Sequence, residues 1–243
     1  MPHGTPDWRI NWTPRTVWGL EDLGEHAVRM GSPHLWDRRG DVFYETDFRD
    51  GLGIFRPSFD GLGASVILHA GNARHGAFDV KLTPGSNLGR TAGLAAYMPI
   101  PRRTGVGLEF TFSTDDDHTT WAWELETRIG TDRWRAVIHY DVALTRLQYL
   151  GDDGLYHTFA TAVPYWDCTD LSNTGKMVVD SRTWNYVRFL LNDQEYSLIN
   201  TPVDHIPALA GTYFQVSFGL YGPPGLNVSG YVDSVIVTQN EPI

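Results

Sequence analysis

From Asp41 onward the chain runs in short alternations of apolar and polar residues separated by Gly, Pro, Asn and Asp, and this pattern restricts it to an all-β fold. A period of two puts apolar side chains on one face of a strand and polar ones on the other. Leu108, Phe110 and Phe112 alternate in this way, as do Trp121, Trp123 and Leu125 beyond the acidic stretch Asp115 to Asp117, and the two segments are expected to form a hairpin. Trp134, Ala136, Ile138 and Tyr140 mark the next strand. Leu147 to Leu150 form the one after, closed by the Asp152-Asp153-Gly154 turn. Val187, Phe189 and Leu191 lead through Asn192-Asp193 into a return strand with Tyr196 and Leu198, and Tyr213 to Tyr221 and Tyr231 to Thr238 supply two more. No repeat of fixed period is visible, which argues against a solenoid or propeller.

Residues 1–40 read differently. Four of the nine tryptophans, Trp8, Trp12, Trp18 and Trp36, fall in the first 36 residues, too short and irregular a stretch for a core of its own. Prolines without a sustained period predict extended chain up to about residue 18. Leu20, Leu23, Ala27 and Met30 then share one face of a short helix over about 19–30, ending at Gly31. So short a helix gains its stability by burying that face against something else. The expected organisation is therefore an arm, 1–40, and a β-sandwich, 41–243.

A chain of 243 residues accommodates one large sandwich and the arm. With 42% hydrophobic and 13% aromatic residues it has material for a core, which excludes wholesale disorder. The net charge of −10 opposes approach to phosphate backbones and anionic lipid, so neither nucleic acid nor a membrane is an expected partner. No apolar run approaches the roughly 18 residues of a membrane span. Met1 to Leu20 lack the apolar core of a Sec signal, and the single cysteine, Cys168, cannot form an internal disulfide.

Several segments in order carry a resemblance. Asp47-Phe48-Arg49-Asp50-Gly51 opening the first strand, Ala73-Arg74-His75-Gly76 followed by Val80-Lys81-Leu82, and Tyr231 to Val237 closing the last strand are similar to the carbohydrate-binding jelly rolls of the concanavalin-like and galactose-binding-like type. That resemblance implies an all-β, two-sheet antiparallel jelly-roll sandwich whose first and last strands run side by side. It also implies a structural calcium near the Asp of the last strand. Arg49 stands where the family commonly has an acidic residue, so an Arg49–Asp233 ion pair is expected there in place of the metal, and no cofactor is expected. Trp36 to Val42 together with Val237 to Pro242 resemble the layout of phage-type virion accessory proteins, which implies a structural role on a particle.

Glu124 and Glu126 alternate onto one strand face with Arg128, and same-face carboxylates of this kind serve retaining glycosidases. The further carboxylate of the family pattern is missing, however, and cross-strand pairing to Arg133 or Arg135 is the expected use of both. No catalytic residue is assigned, and Gly-x-Ser-x-Gly, His-Glu-x-x-His, Cys-x-x-Cys and phosphate-cradling loops are all absent. A sugar would need exposed aromatic faces, for which Tyr165 and Trp166 after Pro164, and Trp184 with Tyr186, are the candidates.

The function expected from sequence is a non-catalytic binding module on a virion, held in a capsid lattice or homo-oligomer by Trp8, Trp12, Trp18, Leu20, Leu23 and Trp36 acting as anchors in partner pockets. The alternatives are a free-standing, cytoplasmic carbohydrate-binding module and a glycan hydrolase using Glu124 and Glu126.

Overall fold

A computed structural model describes residues 39–243 apart from 74–76, 86–90, 102–103, 116–117, 166–171, 224 and 227. The arm residues named above, the helix over 19–30, Trp166 and Cys168 lie outside the described residues. Among the described residues there are fourteen strands and no helix.

Two antiparallel sheets face each other. Sheet A has the order β12(Gln194–Pro202), β11(Asn185–Leu191), β10(Asn173–Asp180), β6(Gly105–Thr114), β14(Gly230–Glu241), β4(Asp79–Thr83), β3(Ser65–His69). β1(Asp41–Thr46) also pairs with β14, beyond the stretch that β4 occupies. Sheet B has the order β2(Arg56–Phe59), β5(Thr91–Met98), β13(Asp204–Tyr221), β7(Thr120–Asp141), β8(Arg146–Leu150), β9(Tyr156–Ala160). The first and last strands do run side by side, with Thr46 opposite Val235 and Asp41 opposite Gln239.

The alternation read from the sequence fills the space between the sheets. Leu108, Phe110 and Phe112 point inward from sheet A and meet Trp121, Trp123 and Leu125 from sheet B. Phe110 stacks on Trp123 with centroids 4.4 Å apart and planes 14° from parallel. Both tryptophans are fully buried, and truncating a buried aromatic of this size to Ala costs about 3–5 kcal/mol.

That contact corrects the expected hairpin. β6 and β7 are neighbours in sequence but belong to opposite sheets. Alternation specifies which side chains go inward but not which strand lies alongside, and two inward-facing runs satisfy each other as well across a core as within a sheet. A second correction concerns Asp47 to Gly51, which follow β1 rather than open it: Phe48 takes a positive φ of 55°, and its amide donates to Thr46 Oγ1 at 3.0 Å.

β11 supplies a third. Its pairing with both neighbours shifts register between Tyr186 and Arg188. The irregularity at Val187 lets Tyr186 share the inner face with Phe189, although simple alternation sets them on opposite faces.

On the other face of sheet A one cluster of buried charges around Glu241 holds the chain at Arg39 and at Pro242. Lys176 Nζ lies 2.9 Å from Glu241 Oε1 and donates to the Arg39 carbonyl at 3.3 Å. Arg188 reaches Glu241 Oε2 at 2.8 Å and donates to the Pro242 carbonyl at 2.7 Å.

Candidate functional site

The outer face of sheet B brings the candidate carboxylates into a defined setting. β7 is 22 residues of extended chain, but it is not straight. Glu124 and Arg135, eleven positions apart, would be separated by about 36 Å along a straight strand. Their side chains in fact meet at 3.7 Å, and Glu126 meets Arg133 at 2.5 Å. The strand therefore doubles back at Gly130, whose φ of +64° suits a residue without Cβ. Beside the first limb, β13 places Ser217 opposite Glu124, Gln215 opposite Glu126 and Tyr213 opposite Arg128. On its far side β5 sets Thr91, Gly93, Ala95 and Tyr97 opposite Tyr221, Gly219, Ser217 and Gln215.

These registers create a groove. Its volume is about 220 Å³, and Gly93, Ala95, Ala122 and Gly219 leave its middle low, while Ser58, Thr91, Glu124, Gln215, Ser217 and Tyr221 supply its polar groups. A Cβ at Gly93 would stand 2.5 Å from the Phe218 carbonyl oxygen, so no side chain can rise there without displacing β13. Aromatic rings mark both ends. Tyr221 packs near His139, with centroids 5.6 Å apart, and His139 stacks on Tyr156 at 4.0 Å. At the other end Tyr97, 56% exposed, stands edge-on to Tyr213 at 5.3 Å.

The two carboxylates have different fates. Glu126 is only 3% exposed and serves three partners: Arg133, Arg128 at 3.9 Å, and the Tyr213 hydroxyl, which donates to Oε1 in a short bond. Burial first, then this bond, pushes the Tyr213 hydroxyl up to about 12, so it remains a donor. Glu124 lines the groove, with Ser217 Oγ at 3.4 Å and Arg135 at 3.7 Å. Burial raises its carboxyl above the ordinary range; the Arg135 charge opposes this and the neighbouring Glu126 reinforces it. His139 is held low, at about 4, by burial and then by Arg135.

The pair is therefore divided between two tasks. Only Glu124 faces the groove, while Glu126 braces the hairpin. The cross-strand pairing expected from sequence is the observed one.

The aromatic candidates are placed elsewhere. Tyr165 packs inward against Tyr140 and Phe112, with centroids 5.1 and 6.0 Å away. Tyr186 is in the core; its hydroxyl accepts from the Val137 amide at 2.8 Å and lies within bonding distance of the Val137 and Leu150 carbonyls. Trp184 stacks on Trp134 at 4.9 Å and 8°, at one end of the sandwich. None of these three lines the groove. The residues that do, above all Gln215, Ser217 and Tyr221, were available in the sequence as the polar half of the Tyr213 to Tyr221 alternation.

The expected calcium substitute is also corrected. Arg49 is 65% exposed and pairs with Asp47 at 2.9 Å, whereas Asp233 is buried in β14. The turn after Thr46 directs Arg49 outward before it can reach the last strand. Among the described residues no three His, Cys, Asp or Glu side chains converge in a way that could hold a metal ion.

Comparison with known proteins bears on the fold. No family model matches the chain, and no curated protein matches its sequence. Solved structures do. The carbohydrate recognition domain of Emp46p in its potassium-bound form aligns with a TM-score of 0.52 at 10% identity, over 82% of this chain and 94% of that one. A structure titled as the conserved carbohydrate esterase of Shiga toxin-encoding bacteriophage phi24B aligns with a TM-score of 0.54 at 13% identity, over 83% of this chain and 100% of that one. The cellulose induced protein Cip1 aligns with a TM-score of 0.52 at 13% identity, over 80% and 96%. A sialidase also matches, with a TM-score of 0.51 at 11% identity, but this chain spans only 19% of its length. The fold is thus a concanavalin-like β-sandwich.

Proposed function

We propose that this chain binds a glycan, without cleaving it, in the groove on the outer face of sheet B. The observation that carries the reading is the groove itself: a low floor of Gly and Ala, hydroxyl and amide groups around it, and Tyr221 at one end. A sugar ring offers an apolar C–H face and a rim of hydroxyls, and this combination of surfaces complements both. The fold likeness to domains named for carbohydrate recognition supports the same reading. Binding without cleavage is supported by Glu126 being engaged away from the groove.

The reading is tested by filling the floor. Ala95→Trp places a bulky ring over the groove while sparing every polar group, and it should abolish retention on glycan gels while leaving the unfolding midpoint within a few degrees. Unchanged retention by a folded Ala95→Trp protein would sink the assignment. Release of reducing sugar from a bound glycan, lost in Glu124→Gln, would replace the binding module with an enzyme.

A second reading concerns the arm. We propose that residues 1–40 attach this module to a larger particle, such as a phage virion or a lattice of its own copies. The concentration of tryptophans there and the fold likeness to a bacteriophage protein support this. A chain beginning at Arg39 should remain folded and lose association in light scattering. Retained association would place the contact in the sandwich.

A further inference from the structure

We propose that the groove selects uncharged sugar units and rejects uronic and sialic acids. The inference rests on the glycan-binding reading and specifies its ligand. It follows from how the charges of this face are spent. Arg133 and Arg128 are directed at Glu126, Arg135 at Glu124 and at Asp204, 3.4 Å away, and Arg146 at Asp141, 3.1 Å away. A sugar carboxylate arriving here would have to displace a protein carboxylate from its partner, and the exchange gains little while the displaced group loses its bonds.

The groove itself points the same way. Among the described residues Glu124 is the only charged one that lines it, and a bound anion would sit beside that carboxylate. The remaining polar lining, Ser58, Thr91, Gln215, Ser217 and Tyr221, is uncharged and suits hydroxyl groups, which both donate and accept. The chain's net charge of −10 adds a long-range penalty against polyanions. At about 220 Å³ the groove is smaller than the roughly 300–1,000 Å³ of sites for drug-sized ligands, and it has room for about one sugar ring.

Arg56 is the counter-candidate. It faces Ala95 across the β2–β5 register on this same side of the sheet, it is exposed, and it has no ion pair among the described residues. It does not line the groove, but a long acidic glycan could reach it.

The test is titration of the full chain with two panels by calorimetry: neutral gluco-, galacto-, manno- and xylo-oligosaccharides, and acidic oligogalacturonate, oligoalginate and sialyllactose. At least one neutral member is expected to bind, about tenfold or more tighter than any acidic one. Added salt should change that affinity little, and Arg56→Ala should leave it intact. Acidic sugars binding as tightly, with an affinity that falls with salt and is lost in Arg56→Ala, would overturn the selectivity and leave glycan binding standing. Silence of both panels, with the protein folded, would overturn the selectivity and the binding reading together.

Discussion

Glu126 and Arg133 face each other at 2.5 Å across the hairpin that turns at Gly130, and the Tyr213 hydroxyl reaches the same carboxylate from the neighbouring strand. Three strand segments are thereby tied at one buried carboxylate, and the outer face of sheet B acquires its shape from that tie. Glu124, two residues away and on the same face, is left to line the groove.

This difference is measurable. Glu126→Gln should cost about 2–4 kcal/mol in urea unfolding, because it leaves a largely buried guanidinium without its carboxylate. Glu124→Gln should cost less than about 1 kcal/mol, since the charge it removes is already disfavoured by burial. Equal losses, or the reverse order, would show that Glu124 and not Glu126 is the structural carboxylate.

His139 sets an acid limit on stability. Its folded pKa, about 4, lies below the unfolded value of 6.5, so between these values the unfolded chain binds the extra proton. The stabilisation is fully present above pH 6.5 and is lost as the pH falls towards 4. It is worth on the order of 2–3 kcal/mol over that window. His139→Gln should flatten the fall of the thermal midpoint across this range. A wild-type midpoint that does not fall from pH 6.5 to 4 would contradict the assignment.

Glu241 should be the most sensitive position at the ends of the sandwich. Lys176 and Arg188 both bind its carboxylate, so Glu241→Ala takes the near partner from two buried cations, leaving Lys176 the longer 3.7 Å approach of Glu109, and should cost about 3–5 kcal/mol. Lys176→Met takes the cation from beside the buried Glu109 as well, but it leaves the Arg188–Glu241 pair in place and fills the vacated volume with apolar chain, and it should cost less. Urea unfolding of the two variants, compared directly, decides the order.

Tyr186 separates fold from function. Tyr186→Phe leaves the Val137 amide without its 2.8 Å acceptor and should destabilise by about 1–3 kcal/mol. Glycan affinity should be unchanged, because the ring is in the core and outside the groove. A selective loss of affinity would return Tyr186 to the binding surface.

The strands were legible because burial on one face leaves a period of two in the residues, as in Leu108 to Phe112 and Trp121 to Leu125. Their neighbours were not, because the same run packs equally well beside or across from its mate; Phe110 stacks on Trp123 through the core instead of lying next to it in a sheet. The carboxylate pairing was legible, since Glu124 and Glu126 precede Arg133 and Arg135 at hairpin spacing. The groove was not: it arises where Gly93 of β5 meets Gly219 of β13, more than a hundred residues apart, and nothing local to either glycine signals the other. Tyr186 was misread because one irregularity at Val187 reverses the face of every residue before it.

The most direct measurement is amide chemical-shift mapping of the labelled chain titrated with the tightest-binding neutral oligosaccharide. The expected shifts cluster on Thr91 to Ala95, Ala122 to Glu124 and Gln215 to Tyr221, with sheet A unmoved. Shifts confined to sheet A or to the Trp134–Trp184 end of the sandwich, with the groove silent, would contradict the proposal that this face is the binding site.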